Sequence, residues 1–126
     1  INWNVEIKDE HMKLHLGCGT RYLEGYVHID LADYDHIDIK SSVDLLDKIE
    51  NDSIDEIYAS HVLEYFDRTE AEKVLNEWKR TLKKGGLLRL AVPNFEQLIN
   101  VYKKTEEIEK ILGPLFGKWS IEKESF

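Results

Sequence analysis

The chain has 126 residues, 42% of them hydrophobic and 33% charged, which supports one domain burying roughly two-thirds of the surface its unfolded form exposes. Its 17 Lys and Arg against 25 Asp and Glu leave a net charge of −8, which argues against duplex nucleic acid, a partner held by neutralising phosphates. A single Cys excludes an internal disulfide framework, and no apolar stretch approaches the ~20 residues of a membrane span. The N-terminus shows none of the charged and apolar zones of a signal peptide, so a cytoplasmic setting without membrane is expected.

Residues 13 to 16 read as a first strand that runs into Gly17-Cys18-Gly19, and residues 26 to 30 as a second that ends in Asp30. Gly17 and Gly19 can take backbone angles closed to other residues and carry no Cβ, so a ligand can lie against main-chain N–H groups. Asp30 is placed to accept two hydrogen bonds from the hydroxyls of a ribose. A dinucleotide fingerprint opens a helix and sets its acid about 20 residues further on; here Gly19 and Asp30 are eleven positions apart. Thr20 to Gly25 holds at most one turn plus a loop. This spacing argues against NAD, and so against an oxidoreductase, and for an adenosine ligand without phosphates.

Ile37-Asp38-Ile39 suggests a short third strand near 37 to 40, and residues 54 to 59 a fourth. Thr69-x-x-Glu72 reads as a capping box opening a helix whose Val74, Leu75, Trp78 and Leu82 recur at helical spacing until Gly85-Gly86. A fifth strand covers 87 to 92, ended by Pro93; Asn94 then caps a helix with Gln97 at the box position and Leu98, Val101 and Tyr102 as a buried stripe. A last short helix runs from about Glu106 to Leu112 and stops at Gly113-Pro114. Alternating strands and helices predict an α/β domain with a mostly parallel sheet flanked by helices. The single domain is expected to span 1–126, with its core at 13–112 and a tail at 113–126 that supplies one strand at most. A sheet ending at the fifth strand exposes an apolar edge, so either a homodimer covering that edge or a natural C-terminus extending further is expected.

Four segments in order carry a resemblance: L-H-L-G-C-G followed by G-Y-V-H-I-D, then Asp44-Leu45-Leu46, then the run from Asp52 through Ser60-His61 to Glu64, then Leu82-Lys83-Lys84-Gly85-Gly86. Together they resemble class I S-adenosylmethionine-dependent methyltransferases, most closely a small bacterial type-11-like branch in which the first helix is shortened. The resemblance covers about residues 13 to 112. It implies the Rossmann-like fold of that class with missing or truncated C-terminal strands, and S-adenosylmethionine as cofactor, with S-adenosylhomocysteine as product.

By the same resemblance the ligand lies where strand order reverses, between the first and fourth strands. Gly17, Cys18 and Gly19 then face the methionine part and ribose, Asp30 with Leu31 the ribose, and Asp44 with Leu45 the adenine. Ser60 and His61 follow the fourth strand, where the family meets its acceptor. Methyl transfer is an in-line displacement, so alignment supplies most of the catalysis, and a base is needed only if the acceptor loses a proton. His61 is the candidate catalytic base, against a packing or capping role; Glu64 is weaker, being equally suited to solvent or to Arg68. Cys18 reads as a small residue fitted to the turn rather than a nucleophile. No set of ligands with zinc-like spacing appears, so no metal is expected, and Trp3, Trp78 and Trp119 read as core or rim residues. The expected reaction is methyl transfer to a small-molecule or glycan-like acceptor, at oxygen. The alternatives are a module that keeps the cofactor pocket without catalysis and, disfavoured by spacing, the oxidoreductase.

Overall fold

The computed structural model describes residues 11–116. Five parallel strands form one sheet in the order β3-β2-β1-β4-β5: β1 (Lys13–Leu16), β2 (Val27–Asp30), β3 (Ile39–Lys40), β4 (Ile54–Ser60) and β5 (Leu82–Ala91). Chain order reverses direction across the sheet between β1 and β4, as expected, so the crevice of this fold opens at their carboxyl ends. Helices α1 (Arg68–Thr81), α2 (Phe95–Thr105) and α3 (Glu109–Phe116) follow, with a 3-10 turn at Leu63–Tyr65. No helix is long and apolar enough to cross a membrane among the described residues.

The strands alternate, and the alternation splits the sheet into two unlike faces. Leu14 pairs with Val27 and with Ile57, and Leu16 with Ile29 and with Ala59, so these side chains share one face. That face, with Val74 and Trp78 of α1 and with Val43, Leu46 and Ile49 from the segment after β3, makes the core. On the other face His15 lies between His28 and Tyr58, and Lys13 opposite Glu56.

Four helix boundaries differ from the sequence reading. α1 begins two residues before the expected box: Asp67 is the N-cap and accepts from the Glu70 amide at 2.8 Å, while Glu70 accepts from the Asp67 amide at 3.0 Å. Asp is the stronger cap, and the Asp67-x-x-Glu70 box satisfies two end donors at once. α1 also ends at Thr81, not at Gly85-Gly86, because Leu82 is already extended and enters the sheet beside Ile54; the buried Thr81 hydroxyl donates to the Trp78 carbonyl at 2.8 Å. Leu82 pairs with Ile54 and Leu87 with Glu56, so Lys83 to Gly86 form an irregularity inside β5 rather than a helix stop. α3 differs at both ends: it starts at Glu109 rather than near Glu106, which is instead the left-handed C-cap of α2, and it continues through Gly113 with Pro114 in its final turn, where the lost amide donor breaks only one bond.

The expected β3 shrinks to two residues. Asn94 does cap α2, accepting from the Gln97 amide at 3.2 Å, but the expected buried stripe is absent: α2 has no buried residue, and Val101 and Tyr102 are exposed. Among the described residues β5 is the last strand of the sheet, with Leu87 and Leu90 exposed, as anticipated. The suggested tail strand, and Trp3 and Trp119, lie outside the described residues; Trp78 is fully buried.

Candidate functional site

A cavity of about 490 Å³ opens at the carboxyl ends of β1, β2 and β4, within the ~300–1,000 Å³ typical of small-molecule sites. Gly17 and Gly19 form its floor, Asp30 and Leu31 one side, and Ser41, Ser42 and Val43 the next. His61, Val62, Tyr65, Phe66 and Glu70 complete the wall.

Gly17 and Gly19 both have positive φ, +62° and +57°, but for different physical ends. A Cβ on Gly17 would stand 2.6 Å from Val62 Cγ2, so this glycine lets β1 pass tightly under the turn after β4. A Cβ on Gly19 would meet nothing within 4 Å; its bareness keeps open space along the cavity. Gly17 donates its amide to the Ile29 carbonyl at 2.8 Å, and Gly19 donates to Asp30 Oδ2 at 2.7 Å. Asp30 Oδ1 accepts from the Ala32 amide at 2.8 Å. The Asp30 carboxylate therefore bridges the two turns, and each oxygen keeps further lone pairs for ligand hydroxyls.

Cys18 is buried behind the turn and does not line the cavity. Burial, with Asp30 nearby, pushes its thiol up to about 11, so it is protonated at neutral pH. That fits the packing role.

The segment expected to face adenine is placed differently in detail. Asp44 and Leu45 are exposed and do not reach the cavity wall; Ser41, Ser42 and Val43 just before them do. The Ser42 hydroxyl donates to Asp44, which turns that carboxylate to a local task. This segment is braced from α1: the Trp78 indole N–H donates to the Val43 carbonyl at 2.8 Å, Glu77 accepts from the Leu46 amide at 2.7 Å, and Arg80 donates to the Leu46 and Ile49 carbonyls at 2.8 and 2.9 Å. The Arg80 guanidinium in turn holds the Glu77 carboxyl below its ordinary value. Sequence reading took Trp78 as a core or rim residue and did not single out Glu77 and Arg80, because nothing local marks a helix as the support of a distant loop.

His61 lies on the cavity wall with φ +57°, a left-handed conformation in a non-glycine residue, a strain of order 1 kcal/mol of the kind that collects at functional sites. Its amide donates to the Ala91 carbonyl at 2.8 Å, which pins the turn to β5. Its Nδ1 lies 3.0 Å from Ser60 Oγ, so Ser60 touches the histidine rather than the cavity itself. Glu64 does not pair with Arg68: one carboxylate oxygen is buried without a hydrogen-bond partner, and Glu64 does not line the cavity. Val62, Tyr65, Phe66 and Glu70 were missed; only their place just after β4 could have marked them.

No group of three or more His, Cys, Asp or Glu residues suited to a metal occurs among the described residues. No curated protein matches the chain. A family model described as a methyltransferase domain matches residues 14–90, from β1 to the end of β5 and through every strand that frames the cavity. With the glycine turn, the acid closing β2 and the reversal of strand order all inside that match, the chain belongs to the methyltransferase domain family, in its class I S-adenosylmethionine-dependent division.

Proposed function

We propose that the protein binds S-adenosylmethionine in this cavity and transfers its methyl group to an oxygen of a small-molecule or glycan-like acceptor. The observation that carries the reading is the Gly17–Gly19 turn tied to Asp30, with open space over Gly19 and a carboxylate still able to accept from ribose hydroxyls. Ser41 to Val43 offer hydroxyls and backbone beside it, suited to a base edge. The residues present thus fit the cofactor, which supplies an electrophilic methyl on a positively charged sulfur. Among the described residues Asp30 and Glu70 are the acids on the wall and no Lys or Arg lines it, an arrangement that favours a cationic centre.

His61 acts as base on the acceptor hydroxyl. Its Nε2 can take the proton only if Nδ1 carries hydrogen and donates to Ser60 Oγ, the bond 3.0 Å long in the structure. With the cofactor bound, its methyl would pass to the acceptor oxygen and leave the neutral thioether, while His61 would hold the proton that the hydroxyl gives up. Tyr65 and Phe66 give the acceptor side an aromatic wall. By the same reading the enzyme works in the cytoplasm, and the exposed edge of β5 pairs with a second copy; sedimentation as a dimer, lost on Leu90→Glu, tests the pairing.

The test is calorimetric titration with S-adenosylhomocysteine beside NAD and adenosine. Micromolar binding specific to S-adenosylhomocysteine is expected, and its absence in folded protein removes the reading. His61→Ala should leave that affinity nearly unchanged and lower turnover on a hydroxyl acceptor.

A further inference from the structure

The connection from Gly17 to Tyr26 contains no helix. Its internal backbone bonds are few: Arg21 donates to the Cys18 carbonyl at 3.0 Å and Tyr26 to the Leu23 carbonyl at 3.3 Å. Two histidine rings take up groups that a helical ladder would otherwise satisfy. The Leu23 amide donates to His28 Nε2 at 2.9 Å, and His36 Nε2 lies 2.8 Å from the Gly19 carbonyl. An amide can only donate and a carbonyl can only accept, so the tautomers are fixed and opposite. His28 must be bare at Nε2 and carry hydrogen on Nδ1, which faces Asp38 Oδ2 at 3.4 Å. His36 must carry hydrogen on Nε2.

The rings are themselves fixed. His28 and His36 meet edge to face at 5.5 Å and 88°, Tyr22 stacks on His28 at 5.0 Å, and Tyr34 stacks on His36 at 5.8 Å. Gly19 is thereby held at both ends of its peptide groups, its amide by Asp30 and its carbonyl by His36. We propose that His28 and His36 are positioning residues for the cofactor turn, clamping the shortened connection and setting the orientation of the Gly19 peptide in place of a helix. The assignment to cofactor binding rests on the proposed cavity; the clamp itself does not.

Three measurements test it. Nitrogen NMR of the ligand-free wild-type protein should show His36 protonated at Nε2 and His28 at Nδ1; the reverse tautomers overturn the clamp. His36→Phe keeps a ring against Tyr22 and Tyr34 but has no donor, and should weaken S-adenosylhomocysteine about tenfold, the scale of one lost hydrogen bond. His36→Gln restores a donor and should recover affinity to within about threefold. Unchanged affinity in His36→Phe, or equal loss in both variants, overturns the positioning role. If the wild-type protein binds no S-adenosylhomocysteine, the cofactor reading fails separately, and amide exchange decides the clamp. Faster exchange at Leu23 in His28→Phe, with Leu16 and Ile29 unchanged, supports it; unaltered exchange at Leu23 refutes it.

Discussion

His15 offers a quantitative test of the two-faced sheet. Its side chain is 1% exposed between β2 and β4, its Nδ1 has no hydrogen-bond partner, and Tyr58, His28 and Tyr26 surround the ring at 5.0 to 6.2 Å. Burial first, with the Arg21 charge adding to it, lowers its pKa from 6.5 to about 4. The unfolded chain therefore binds more protons than the folded one between those two values, and stability falls as pH drops through that window. From pH 7 to pH 5 the loss works out at about 2 kcal/mol, approaching ~3 kcal/mol once pH is below both values. Asp55, Glu56 and Glu77 are held below their ordinary values by the Met12 amide, the Tyr26 hydroxyl and the Arg80 guanidinium. Their contributions are lost only at lower pH, outside this range. His15→Phe keeps an aromatic ring and removes the titrating nitrogen. Thermal unfolding of both proteins at pH 7 and pH 5 should show a drop in Tm larger by about 10 °C for the wild type. Equal drops would falsify the assignment of acid sensitivity to the buried ring.

Asp30→Ala should weaken S-adenosylhomocysteine by about 2 kcal/mol, as expected when hydrogen bonds to a charged group are lost; unchanged calorimetric affinity would place the ribose elsewhere. Gly17→Ala should destabilise by about 1–3 kcal/mol because its new carbon meets Val62 at 2.6 Å in a left-handed backbone. Denaturant titration should recover part of that cost in the Gly17→Ala, Val62→Ala double variant, and strict additivity would contradict the contact. Cys18, with its thiol up at about 11, should alkylate in the folded protein at least about a hundredfold more slowly than an exposed cysteine at neutral pH; a comparable rate would place it outside the turn.

The parts of the fold legible in sequence are those whose causes are local. Gly17, Gly19 and Asp30 were readable because a turn needing positive φ and a strand-ending acid leave marks within a few residues. Asp67 was misread for Thr69 because two overlapping boxes, Asp67-x-x-Glu70 and Thr69-x-x-Glu72, satisfy the same pattern and only the formed helix chooses between them. Val101 and Tyr102 carry helical periodicity but lie exposed, since periodicity shows which face could be buried and not whether anything packs on it. Ser42 and Val43 reached the cavity in place of Asp44 and Leu45 because the loop's register is set by Trp78, a contact across 35 positions that no local pattern encodes.

Helix α1 is solvent-facing along much of its length, yet Glu77 and Arg80 on its flank grip the loop that walls the cavity. Substitutions there touch no ligand, but they release the carbonyls and amide that hold Ser41 to Val43 in place. Drift in such a helix can therefore retune ligand affinity without altering one residue of the cavity, and compensating changes should arise in pairs linking α1 to residues 43 to 51. The grip is concentrated at Arg80, whose guanidinium reaches Leu46, Ile49 and Asn51 at once, so the shape of the cavity is set in part by a residue that does not line it.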